Sequence, residues 1–165
     1  EDTLSLHDAL PIWVMWPEIA RARATKNGKK LMNIFRNLAV IAALFSTVAL
    51  LGAFAAPTIV SLWTHHRIQV EIHEALVIAG LVIVQSLAYV GAVFMNAFEK
   101  IRLQISLGLI SIVFMVPLSA YFISLGVGIA AVPLAAMLLT ALPMIFCNIF
   151  ALRLINDLSN VEVSS

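Results

Sequence analysis

The sequence predicts an all-α, polytopic membrane protein with four transmembrane helices, preceded by an amphipathic cytosolic segment. Three observations lead there. From Leu103 to Leu152, fifty consecutive residues pass without an Asp, Glu, Lys or Arg. Two further stretches, 37–66 and 75–97, are equally free of fixed charge. The whole chain is 62% hydrophobic and 12% charged with a mean hydropathy of +1.01, whereas soluble domains run at about 45–50% and 25%.

The fifty-residue run sets the scale. As one helix it would be roughly 75 Å long against a hydrocarbon core of about 30 Å, so it must fold back once. Ser124-Leu125-Gly126-Val127-Gly128 supplies the turn, leaving 105–123 and 129–151 as two arms of spanning length. Lipid offers no hydrogen bonds to the backbone, so both arms are helices.

Taken in order, the chain begins oddly. Thr3 to Ile12 (TLSLHDALPI) resembles a sequencing adapter translated in one frame, so residues 1–12 read as an adapter artefact. The biological sequence is expected to begin near Trp13 as the continuation of something longer. Residues 13–36 read as an interfacial segment. Trp13 and Trp16 suit the headgroup level, while Arg21, Arg23, Lys26, Lys29 and Lys30 face lipid phosphates. Pro17 and Glu18 fit a first helical turn, and Asn27-Gly28 ends one helix and begins the next.

The four-helix region then covers 37–155, with spans at about 37–62, 75–97, 105–123 and 129–151. In the first span, Gly52 and Ala56 form a small-residue pair that would let another helix approach. Pro57 kinks its outer end or begins its exit. The linker Thr64–Glu74 is polar, and the turn before the third span carries Glu99, Lys100 and Arg102. Arg153, Asn156 and Asp157 are expected to close the last helix, with 156–165 a polar cytosolic tail. Four spans put nine of the ten basic residues on one side and only Arg67 on the other, a positive-inside pattern with both ends cytosolic.

Few constellations carry chemistry. His65, His66 and His73 with Glu71 or Glu74 fit no familiar zinc spacing, so no metal is expected and the outer loop reads as solvated. Cys147 is alone inside a span. No nucleotide-binding glycine loop or nucleophile–base pair is present, so neither an enzyme nor a cofactor is expected. A charge distribution segregated by topology gives no patch for nucleic acid. Gln85, Tyr89 and Asn96 fall within roughly 40° on one face of the second span, with Ser86 beside them. Such groups bond to neighbouring helices or line a cavity for a polar substrate. Thr140 and Asn148 in the last span pose the same alternative.

The order of elements resembles the C-terminal third of a lipid-linked oligosaccharide flippase, of the polysaccharide-biosynthesis type within the multidrug/oligosaccharidyl-lipid/polysaccharide exporter superfamily. The likeness rests on Trp16-Pro17-Glu18-Ile19-Ala20 with its basic stretch, and on Pro57 and Leu62-Trp63 at the end of a span. It continues with Asn96 and Lys100 at a cytosolic turn, and with Tyr121-Phe122-Ile123 and Gly126-Val127-Gly128-Ile129-Ala130 in the last hairpin. The resemblance implies a multi-pass protein of the bacterial inner membrane that moves undecaprenyl-diphosphate-linked oligosaccharide by alternating access. Its partners would be that lipid-linked oligosaccharide, membrane lipids and further N-terminal transmembrane helices of the same chain. It also implies a cationic cavity, for which Arg36, Lys100 and Arg102 are the candidates at the cytosolic mouth. A multidrug extruder of the same superfamily and a stand-alone four-helix scaffold or subunit are the alternatives.

Overall fold

A computed structural model describes residues 15–163. The adapter-like segment 1–12 and Trp13 lie outside the described residues. Five α-helices account for most of the rest: α1 (Met15–Ala24), α2 (Gly28–Trp63), α3 (Ile72–Ala97), α4 (Ile101–Ser124) and α5 (Ala131–Val163). A 3-10 turn, Gly128–Ala130, leads into α5. Helices α2 to α5 are each long and apolar enough to cross a membrane, so the all-α polytopic class holds.

The boundaries follow local chemistry. Asn27 Oδ1 accepts the Lys30 backbone N–H at 2.8 Å, which caps α2 at the predicted break. The α4–α5 hairpin turns where the two glycines stand, with φ of +80° at Gly126 and +67° at Gly128, a region that L side chains enter at a cost. Before α3, the Glu71 backbone N–H donates to Glu74 Oε2 at 3.1 Å.

Helix α2 carries Pro57 inside it and continues to Trp63, one residue beyond the expected end of the first span. Pro57 leaves the carbonyl one turn back without its helical N–H. One boundary departs from expectation. The expected polar tail from 156 is instead the last turns of α5, which runs on to Val163. The reason is spacing: Ala151 and Ile155 are fully buried, and Leu154 and Leu158 pack on the same cluster, so the helical face continues beyond the polar residues.

The helices form a row. Helix α3 packs along both α2 and α5, while α4 packs chiefly on α5, giving the order α2, α3, α5, α4. Helices α3 and α5 run parallel, because Gly80 sits opposite Met137 and Gly91 opposite Cys147 and Asn148. Of these two, Gly91 is the tighter crossing. A Cβ there would lie 2.6 Å from the Asn148 backbone nitrogen and 2.7 Å from the Cys147 carbonyl carbon. Of the expected Gly52/Ala56 pair, Ala56 takes part in the contact with α3 and Gly52 does not. Gly52 faces open space, and it is Ala53, flanked by Ala49 and Ala56, that meets Ala75 and Ala79.

The main core lies at one end of the row. It joins Ile19 and Ala22 of α1, Leu31, Ile34 and Leu38 of α2, Phe94 and Ala97 of α3, and Ala151 and Ile155 of α5. Gly28 abuts Ser159, with a Cβ there 2.8 Å from the Ser159 Cα, so α2 starts where α5 ends. Arg23 reaches Ala97 and Glu99, so α3 ends there too. That end carries Arg21, Arg23, Lys26, Lys29, Lys30, Arg36, Lys100, Arg102 and Arg153 against Glu18, Glu99 and Asp157 among the described side chains. Nine cations less three anions leaves an excess of six positive charges; the opposite end has Arg67 with Glu71 and Glu74.

Outside this core the helices are thinly covered. Only 6% of the most apolar window of α4 is buried, against 22% in α3 and α5. Ile112, Val113 and Val116 on α4 and Leu44, Phe45, Val48 and Leu51 on α2 stand exposed, as side chains facing acyl chains do.

Candidate functional site

Helix α3, one of the two inner members of the row, carries the site. Its two flanks are spent on neighbours: Val90, Val93 and Phe94 belong to the cluster that includes α2, and Gly80 and Gly91 meet α5. The arc left between those flanks is where Gln85, Tyr89 and Asn96 project, and all three are exposed. The predicted stripe is therefore real as a face of α3. Among the described residues none of the three side chains bonds to another helix, so within this bundle they are not interhelical glue.

A shallow groove of about 90 Å³ runs beside the stripe between α2 and α3. Leu38, Ile41, Ala42 and Phe45 form one wall; Ser86, Tyr89, Val90 and Val93 form the other. Tyr89 and Ser86 thus line the groove, while Gln85 and Asn96 flank it along the helix. The groove is apolar except for two hydroxyls. Together the groups offer amide, phenol and alcohol hydrogen bonds without fixed charge, which suits hydroxyl-rich or amide-bearing groups next to an apolar chain.

Arg36, Lys100 and Arg102 lie at the cationic end, all exposed and outside any ion pair among the described residues. They supply positive potential at the mouth of the row rather than charge within the groove.

Within the apolar spans, Asn148 and Ser111 join helices. Asn148 donates through Nδ2 to the Leu87 carbonyl of α3 at 3.0 Å and to Met144 at 2.7 Å, beside the Gly91 crossing. Ser111 of α4 donates to the Leu139 carbonyl of α5 at 3.4 Å, the carbonyl that Pro143 leaves without its helical N–H. Asn148 thus bonds to a neighbouring helix, whereas Thr140 makes no such bond among the described residues. On α4, Gln104 Oε1 and Ser119 Oγ are buried with no partner among the described residues. Asn148→Leu should lower stability by about 1 kcal/mol, the usual worth of an interhelical bond in a bilayer. Reversible unfolding in mixed micelles checks this, and an unchanged midpoint would rule the bond out as a significant tie.

Arg23, expected to face lipid phosphates, instead turns toward the end of α3. Its Nη1 donates to the Ala97 carbonyl at 2.9 Å and approaches Glu99 Oε1 at 3.3 Å, and its guanidinium lies 5.4 Å from the Phe98 ring centroid. No local signal marks it, because its partners lie more than seventy residues away.

At the opposite end, His66 Nδ1 and Ser61 Oγ share a 2.6 Å hydrogen bond, and His73 Nδ1 lies 3.1 Å from Glu71 Oε2. Among the described residues no three His, Cys, Asp or Glu side chains converge as a metal site would require. Comparison with protein-family models, with curated proteins and with solved structures finds no match to this chain.

Proposed function

We propose that the chain forms part of a membrane transporter that carries lipid-linked oligosaccharide across the bacterial inner membrane. The observation that carries this reading is the exposed stripe of Gln85, Tyr89 and Asn96 on α3 beside an apolar groove open at the side. Uncharged polar groups on a membrane-spanning face are stable where water, a polar ligand or further helices meet them. A cargo with a sugar head and an apolar tail has both chemistries, and the order of sequence motifs favours it over a small cationic drug. Further transmembrane helices of the same protein would cover the bare sides of α2 and α4.

Orientation follows from charge. The end where the described side chains leave six excess positive charges would face the cytosol, where the positive-inside bias retains Lys and Arg. Arg36, Lys100 and Arg102 there would attract a diphosphate to the entrance before translocation.

The test is complementation of a strain lacking its own flippase by the intact gene. The triple variant Gln85→Leu, Tyr89→Phe, Asn96→Leu should reduce surface polysaccharide about tenfold or more, consistent with losing one to two kcal/mol of recognition, with protein level in the membrane unchanged. Full complementation by that variant would remove the stripe from the transport path. Failure of the wild-type gene to complement would remove the flippase assignment itself.

A further inference from the structure

Helix α1 does more than rest on the membrane surface. It is ten residues long, joined to α2 by a tight turn in which Lys26 adopts a left-handed conformation with φ of +52°. One side of it, Ile19 and Ala22, is completely buried in the main core. Two polar ties hold that side down. Glu18 pairs with Lys30 of α2 at 3.1 Å, and Arg23 grips the end of α3 through the Ala97 carbonyl, Glu99 and the Phe98 ring. The Ala97 carbonyl lies in the last turn of α3, where acceptors lack an intrahelical donor, so Arg23 fills a vacancy that the helix end creates.

The same core floors the groove. Leu38, Ala42, Val90 and Val93 belong both to the cluster that Ile19 and Ala22 complete and to the groove walls. The α2–α3 seam is thus packed at the cationic end under α1, open in the middle, and closed at the other end by Ala53, Ala75 and Ala79. The two closures differ in kind. The alanine closure is apolar and continuous, whereas the ties of α1 are half-exposed ion pairs and one side-chain bond, each individually weak in water.

We propose that α1 is a strap that fastens α2 to α3 at the cationic end, and that its release opens the α2–α3 groove to water from that side. The groove then has an inner door with a water-accessible catch, Arg23 on Ala97 and Glu99, while the far end of the seam stays shut. The door works whatever the groove carries, so it stands apart from the flippase assignment.

Cysteine accessibility tests it in the full protein in permeabilised vesicles, with Cys147→Ala as background. Val93→Cys reports on the groove and Ala79→Cys on the far closure. Adding Arg23→Gln should accelerate labelling of the Val93→Cys reporter by a membrane-impermeant maleimide about fivefold or more, with no change at Ala79→Cys. Glu99→Gln, which leaves the carbonyl bond in place, should give a smaller increase in the same pattern, and carries the test alone if Arg23→Gln does not accumulate. Unchanged labelling at Val93→Cys overturns the strap. Equal acceleration at both reporters also overturns it, since that is general loosening of the bundle.

Discussion

Replacing Gly91 by valine is expected to destabilise the bundle by about 3 kcal/mol or more, the upper range for overpacking a close contact. The three atoms that the new Cβ would meet at 2.6 to 3.0 Å are the Asn148 nitrogen, the Cys147 carbonyl carbon and the Cys147 Cβ. Two of them are backbone, so no rotamer change relieves the clash. Helices α3 and α5 must separate, and the Asn148 bond to Leu87 goes with the separation. Gly80→Ala makes the control. Its Cβ would lie 2.8 Å from Met137 Sδ, the far end of a flexible side chain, so it should cost well under half as much. Unfolding of both variants in mixed micelles measures the pair; equal costs would mean that the α3–α5 crossing is not centred on Gly91.

Those two glycines also show what a sequence conceals. The existence of each span was legible because hydropathy is a sum over twenty residues, and the turns at Asn27-Gly28 and Ser124–Gly128 were legible because capping and left-handed conformations are local requirements. Facing is another matter. In a span that is apolar all round, nothing local says which side meets a neighbour, so Gly91 carried no signal and Gly52 carried a misleading one. Moving from Gly52 to Ala53 rotates the contact by about 100°, enough to exchange a helix for open space. The polar stripe of α3 escaped this ambiguity because Gln85, Tyr89 and Asn96 mark a face by contrast with everything around them. Even so, the sequence left open whether that face met a helix, and the bundle leaves it bare.

The last turns of α5 failed for the opposite reason. Arg153, Asn156 and Asp157 look like a polar end, but Ala151, Ile155 and Leu158 continue the buried face at helical spacing. Polar residues on the outer side of an amphipathic helix do not end it. Arg23 lies beyond any such reasoning, because pairing it with Ala97 and Glu99 requires the α2–α3 hairpin to be folded first. Where α1 sits was therefore unreadable, although α1 itself was expected.

Phe94→Ala should have an effect of similar size, and its magnitude locates the water boundary. Phe94 is fully buried and meets Phe35 edge to face, with ring centroids 5.4 Å apart. Removing a side chain of roughly 100 Å³ at about 24 cal/mol per Å³ of residual cavity gives about 2.4 kcal/mol from lost packing alone. In hydrocarbon that is nearly the whole cost, since an unfolded helix in lipid already keeps the ring out of water. At a water-side core the transfer term is added, and the cost rises to about 3–5 kcal/mol. Phe94 is three residues from Ala97, whose carbonyl takes the Arg23 guanidinium, and it shares a cluster with Ile19 of α1. The larger value is therefore expected, and Phe94→Leu should recover more than half of it by filling most of the void. A loss near 2 kcal/mol for Phe94→Ala would place the cluster inside the bilayer, and α1 with it. The strap would then be working in lipid, where breaking the Arg23 contact is far costlier than at a surface washed by water.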